Sequence, residues 1–197
     1  MAAAVRWLHI YLSLLGFTAL IFFAATGVTL NHPTWFGADV QRTTNFTGAF
    51  DPGLLRLPNS SDDPARSVDQ LAVVEHLRSQ HRIRGAVSEF RVDDFECLVL
   101  FKGPGYAADV VINREKGTYT ATQNAMGAVA IINDLHKGRD SGWVWSLVID
   151  ASAALTILVS VTGLVLLFWL KRRRSSGLIT AVVGTIILGL LYLFGVP

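Results

Sequence analysis

The 197-residue sequence predicts an α-helical membrane protein with three transmembrane helices. Between the first two spans it predicts a small α+β extracytoplasmic domain, one helix plus an antiparallel meander. Three observations lead there. Charged residues make up only 16% of the chain, against roughly 25% in an average soluble domain. The shortfall is concentrated: Trp7–Leu30 and Gly177–Pro197 hold no Asp, Glu, Lys or Arg, and Trp143–Leu170 holds Asp150 alone. Each block reaches the roughly 20 apolar residues a helix needs to cross a bilayer, and the roughly 110 residues between the first two suffice for one domain. This composition excludes an ordinary soluble protein and intrinsic disorder. No repeat of fixed period is present.

The first span is expected over residues 5–31. Signal-peptide apolar cores run only about 7–15 residues, so this longer block reads as an uncleaved anchor. Residues 32–66 form an extracytoplasmic linker whose Gly, Pro, Asn, Ser and Asp content predicts loops with little regular structure. A compact domain follows over 67–123. Ser67 is its expected helix N-cap, with Gln70 placed as in a capping box. Val68, Leu71, Val74 and Leu77 recur every three residues, which predicts an amphipathic helix to about Gln80. Strands are expected at Ala86–Val92, Glu96–Lys102 and Tyr106–Asn113, with a fourth at Thr118–Thr122. Gly103-Pro104-Gly105 and Glu115-Lys116-Gly117 supply the turns. A helix laid over such a meander makes a two-layer core.

Residues 124–142 carry Met126, Val129, Ile132 and Leu135 at the same spacing, an interfacial amphipathic helix ending in the bend Gly138–Gly142. The second span covers 143–170, a basic loop 171–176 and the third span 177–197. The single Cys97 permits no internal disulfide and no Cys/His finger site. Its setting, Phe95-Glu96-Cys97-Leu98-Val99, reads as a buried, inert thiol. Asn45-Phe46-Thr47 and Asn59-Ser60-Ser61 match glycosylation acceptors, a tripeptide frequent by chance.

Charge sets the expected orientation. Arg6 precedes the first span and Lys171-Arg172-Arg173-Arg174 separates the second from the third, while residues 31–142 balance twelve Lys and Arg against fourteen Asp and Glu. Short cytoplasmic loops collect Lys and Arg. The N-terminus and the basic loop are therefore expected in the cytoplasm, and the central domain outside the cytoplasmic membrane. Squeezed between two spans, the basic run is a topology signal rather than a nucleic-acid patch. All five tryptophans, Trp7, Trp35, Trp143, Trp145 and Trp169, stand at span ends, where amphipathic indoles meet the headgroups.

Specific motifs add to this pattern. Arg6-Trp7-Leu8-His9, Thr29-Leu30-Asn31-His32-Pro33, Leu135-His136-Lys137-Gly138-Arg139 and Ser160-Val161-Thr162-Gly163-Leu164 before a basic loop resemble the PepSY-associated transmembrane family, across essentially the whole chain. The helix-plus-meander domain is similar to the PepSY module. Larger, four-span members of that family include haem-containing inner-membrane reductases of ferric siderophores. The resemblance therefore implies haem b, a bacterial inner-membrane location and a short three-span form.

Three of the five histidines flank spans. Ionisable groups at membrane depth are costly and usually functional, and imidazole commonly holds haem iron. His32 closes the first span and His136 opens the second, so both are expected at the outer interface as axial partners for one haem b. Alternatively, His32 merely caps the span and His136 reaches the headgroups. His9 lies 23 residues before His32, roughly 34 Å along a helix at about 1.5 Å per residue. It is expected at the inner interface, either as a hydrogen-bonded interfacial histidine or as a haem ligand whose second ligand would come from another copy or subunit. Asp150, roughly 10 Å inside the bilayer, is either a hydrogen-bond partner of a haem-ligating histidine or bonded to a hydroxyl such as Thr26 or Thr29. Ser152, Thr156 and Ser160 read as a close-packing face. On the first span His9, Ser13, Gly16, Leu20, Phe23 and Gly27 follow one stripe, whose glycines admit a flat macrocycle or a neighbouring backbone. His76 and His81 are expected on the solvated surface.

No phosphate loop, nucleophile elbow or His-Glu-x-x-His is present, and no dinucleotide fingerprint, so no nucleotide cofactor is expected in this chain. Two functional classes remain. One is a haem b electron-transfer subunit, moving electrons across the membrane to a ferric chelate or a flavoprotein, within a homo-oligomer or multi-subunit redox complex. The other is a redox-silent, membrane-anchored PepSY module that binds a ligand or regulates a peptidase.

Overall fold

A computed structural model describes residues 2–55 and 68–197. The expected Ser67 cap and the Asn59-Ser60-Ser61 triplet lie outside the described residues. Among the described residues three helices are long and apolar enough to cross a membrane: α1 (Ala2–Asn31), α5 (Gly142–Trp169) and α6 (Arg174–Gly195), of 30, 28 and 22 residues. Between α1 and α5 lie a 3-10 turn (Trp35–Gly37), β1 (Gln41–Ala49), α2 (Pro52–Leu55), α3 (Gln70–His81), β2 (Ala86–Val92), β3 (Glu96–Gly103), β4 (Tyr106–Asn113), β5 (Thr118–Met126) and α4 (Ala128–Lys137). The chain is a three-span membrane protein with a central β domain. α6 begins within the expected basic loop, since arginine is a good helix former.

The fold divides into two compact units, residues 1–22 with 148–197, and residues 23–147. In the first, α1 and α5 run antiparallel, with His9 beside Thr162 and Gly16 beside Leu155. Water is absent from a bilayer core, so hydroxyls there must find partners within the protein. They turn back on their own helix: Ser152 donates to the Val148 carbonyl at 2.7 Å, Thr156 to Ser152 at 2.9 Å and Ser160 to Thr156 at 2.8 Å. The expected small-residue face is thus internally satisfied.

In the second unit the five strands form one antiparallel sheet in the order β1-β5-β4-β3-β2. α3 covers one face. Val73, Val74 and Leu77 pack with Cys97, Val99 and Phe101 of β3, Ala108, Val110 and Ile112 of β4, and Tyr119 and Ala121 of β5. Buried residues recur at every second position along most of β3 and β4, the period of a half-buried strand. Cys97 is fully buried, and burial pushes its thiol up, against the opposing pull of Arg114.

Four expectations need correction. The linker 32–66 is not merely loops, because β1 occupies Gln41–Ala49 and pairs along its length with β5, from Gln41 opposite Met126 to Ala49 opposite Thr118. That pairing carries β5 to Met126, so residues 124–126 are strand and α4 starts at Ala128. α3 is capped by Asp69, whose carboxylate accepts from the Ala72 N–H at 3.0 Å. The helix therefore starts later, Leu71 is 73% exposed, and Val73 takes its place in the core. Finally, His76 and His81 are not solvated surface residues. His81 stacks on Phe46 and bonds through Nε2 to the Tyr119 hydroxyl at 2.7 Å, while His76 lies against Phe50 and Tyr119. Gly48 makes this possible, because a Cβ there would overlap the Tyr119 ring.

Burial and the adjacent His76 hold His81 below the usual imidazole value of 6.5, and burial pushes the Tyr119 phenol up. His81 and Tyr119 share one hydrogen bond, and both shifts favour their uncharged forms in the folded state. A depressed folded pKa means that the unfolded chain takes up the proton first. Its stabilising contribution is present above the usual imidazole value and is lost as pH falls through the lowered one. Hydrogen exchange on the full chain should show β1 and α3 losing protection on acidification from about pH 7 to 5. His81→Gln should remove most of that pH dependence; an unchanged acid response in the variant would refute the assignment.

Candidate functional site

Two of the three span-flanking histidines are held in the same way. His136 comes from the last turn of α4. Gly138 in left-handed backbone (φ 68) closes that helix, its N–H directed at the carbonyls of Asp134 and Leu135. The Trp145 indole donates to the Leu135 carbonyl at 2.7 Å. Asp134 accepts the Gly105 N–H at 2.9 Å, tying α4 to the turn between β3 and β4. The buried Asn133 accepts from the Thr29 hydroxyl at 2.6 Å. So anchored, α4 brings His136 Nδ1 to 2.6 Å from Thr26 Oγ1, near the C-terminal end of α1. Its ring meets Phe23 edge to face at 5.2 Å, and its Cε1 edge passes over Gly27.

His9 repeats this arrangement in the other unit. Its Nδ1 lies 2.9 Å from Thr162 Oγ1 on α5, and its Cε1 lies 3.2 Å from where a Cβ on Gly163 would stand. Thr26-Gly27 and Thr162-Gly163 are thus two similar seats, each a hydroxyl for Nδ1 beside a glycine, with the ring edge crowding the glycine position only at Gly163. Both hydroxyls face helix carbonyls as well: Thr162 those of Leu158 at 2.8 Å and Val159 at 3.0 Å, Thr26 that of Phe23 at 3.4 Å.

The remaining expected site residues stand differently. His32 follows the end of α1 and stacks flat on Trp35, 3.7 Å between ring centres and 7° between planes. His136 is engaged by Thr26, and His32 by Trp35. Asp150 is exposed on α5, while Thr26 and Thr29, its suggested partners, serve His136 and Asn133. Sequence reading missed the seats themselves. The available signal was the Thr-Gly pair recurring in two apolar helices. Asn133 also lines an open cleft of about 270 Å³ together with Pro33, Lys137 and Arg139.

Among the described residues, no three of His, Cys, Asp and Glu gather as a ligand set for a bare metal ion. Haem iron asks for less, only one or two axial nitrogens. A half-buried imidazole held at Nδ1, with its second nitrogen uncommitted among the described bonds, fits that requirement at His136 and at His9.

Three spans, a central five-stranded domain and paired imidazole seats define an integral membrane protein of one architecture. A family model described as PepSY_TM-like matches residues 3–197, and the chain belongs to that family. No curated protein and no solved structure matches it.

Proposed function

We propose that this protein is a haem b electron-transfer subunit of the bacterial inner membrane, passing electrons to an extracytoplasmic acceptor such as a ferric chelate or a flavoprotein. The observation that carries the reading is the engagement of His136 through Nδ1 by Thr26, which leaves Nε2 to ligate. Hydrogen bonds at the distal ring nitrogen orient and strengthen an imidazole ligand. His136 is the better-held outer ligand, and His32 is its proposed companion; Trp35 keeps the His32 ring in one plane. Lys137 and Arg139, beside the Asn133 cleft, supply positive charge for the carboxylates such a group carries. His9 is a second, inner ligand, its companion nitrogen coming from another copy or another subunit. When bound, haem b supplies one-electron exchange. The basic Lys171–Arg174 run supports a topology with the N-terminus inside and the β domain outside.

The purified protein in nanodiscs should show a b-type reduced-minus-oxidised spectrum with stoichiometric haem. Apoprotein that takes up no added haem would refute the reading. The PepSY binding or peptidase-regulating alternative would then stand in its place.

A further inference from the structure

We propose that Thr26 and Thr162 are positioning residues that select the tautomer of the two seated histidines, so that His136 and His9 both carry their proton on Nδ1 and present an unprotonated Nε2. A threonine hydroxyl has a single proton and can accept as well as donate. Thr162 directs its proton at the Leu158 carbonyl, 2.8 Å away and one helical turn back, with the Val159 carbonyl at 3.0 Å as the second acceptor. In a helix that leaves backbone carbonyls as the natural sink for a hydroxyl proton. The oxygen facing His9 at 2.9 Å can then only accept. A neutral imidazole meeting an acceptor at Nδ1 must be protonated there, and its lone pair falls to Nε2.

Thr26 is arranged in the same sense but with a longer backbone contact: its hydroxyl lies 3.4 Å from the Phe23 carbonyl of its own helix, and its oxygen lies 2.6 Å from His136 Nδ1. The glycines complete the device. A Cβ on Gly163 would stand 3.2 Å from His9 Cε1 and 3.8 Å from Nδ1, and one on Gly27 would stand 3.9 Å from His136 Cε1. At Gly163 the absence of a side chain lets the His9 ring edge lie close on the helix, whereas the His136 ring stands at ordinary van der Waals range from Gly27. Two Thr-Gly pairs on different helices therefore act alike, each converting a histidine of either tautomer into a one-sided nitrogen donor. The consequence for iron ligation rests on the haem reading above; the tautomer does not.

The experiment is 15N NMR of [15N]histidine-labelled full-length protein in nanodiscs, free of haem, at a pH where imidazoles are neutral. Signals are assigned by His9→Gln and His136→Gln. The expected result is a protonated Nδ1 and an unprotonated Nε2 at both histidines. Thr162→Val should release His9 alone and Thr26→Val His136 alone, each to the opposite or a mixed tautomer, while Thr→Ser at either position restores the original pattern. If the valine proteins fold poorly, the wild-type and serine spectra decide by themselves. Protonation at Nε2 in the wild type, or valine variants with unchanged tautomers, would overturn the proposal. Titration with ferric protoporphyrin separates the two readings. Weakening of about 10–100-fold in the valine variants links tautomer to ligation. Correct tautomers with no uptake by any form would refute the haem reading and leave this one standing.

Discussion

On the proposed function, replacing His136 with alanine should abolish the low-spin b-type spectrum expected of a haem at the outer interface. An axial nitrogen has no substitute there: Thr26, Phe23 and Gly27 surround the ring and none is a haem ligand of comparable strength. The iron would become five-coordinate or be lost. The fold should persist, because His136 lies outside the hydrophobic core of the domain. The cost is one vacated hydrogen bond at Thr26, on the order of 1 kcal/mol. His32→Ala should act in the same direction if His32 is the companion ligand. His81→Ala, altering a residue committed to Tyr119, serves as the control and should leave the spectrum intact. A wild-type spectrum from both the His136 and His32 variants would overturn the outer site and make His9 the leading ligand.

A second large effect is expected at Phe101. This side chain is fully buried in the middle of β3, opposite Val87 on one neighbouring strand and Ala108 on the other. The Arg78 guanidinium also lies 5.9 Å from its ring centre. Truncation to alanine removes the largest fully buried side chain among the described residues and leaves a cavity in the core. Such changes cost about 3–5 kcal/mol, a large share of the roughly 5–15 kcal/mol that holds a domain together. Phe101→Ala should therefore expose β2–β5 to protease and to hydrogen exchange at temperatures the parent tolerates. Phe95→Ala, at a residue 78% exposed, should change stability by no more than about 0.5 kcal/mol. Equal protection in the Phe101 variant and the parent would contradict the core described above.

Much of this fold could be read from residues in order, for definite reasons. A span must satisfy its backbone internally and its side chains in lipid, so it writes itself as an unbroken apolar run; all three did. β3 and β4 are central strands with one face buried, and alternation marks such strands directly. β1 left no such mark. Its residues Gln41–Ala49 are mostly polar, its side chains are largely exposed, and its existence depends on β5, whose partner residues lie 69–85 positions away. The threefold spacing that included Leu71 went astray for a related reason. Asp69, not an earlier residue, starts the helix, and the helical phase then turns Leu71 outward and Val73 inward.

By itself, the sequence determined the spans, their basic connector and three of the five strands to within a residue. Each of these follows from local composition and period, which physics imposes within a few consecutive residues. Tertiary structure alone decided what each histidine touches. His9 and Thr162 are 153 residues apart, His136 and Thr26 110, and His81 and Tyr119 38. No periodicity links such positions, because a hydrogen bond between two elements depends on how those elements pack. That packing separates histidines of one residue type into two seated against Thr-Gly pairs and one half-buried between Phe46 and Tyr119.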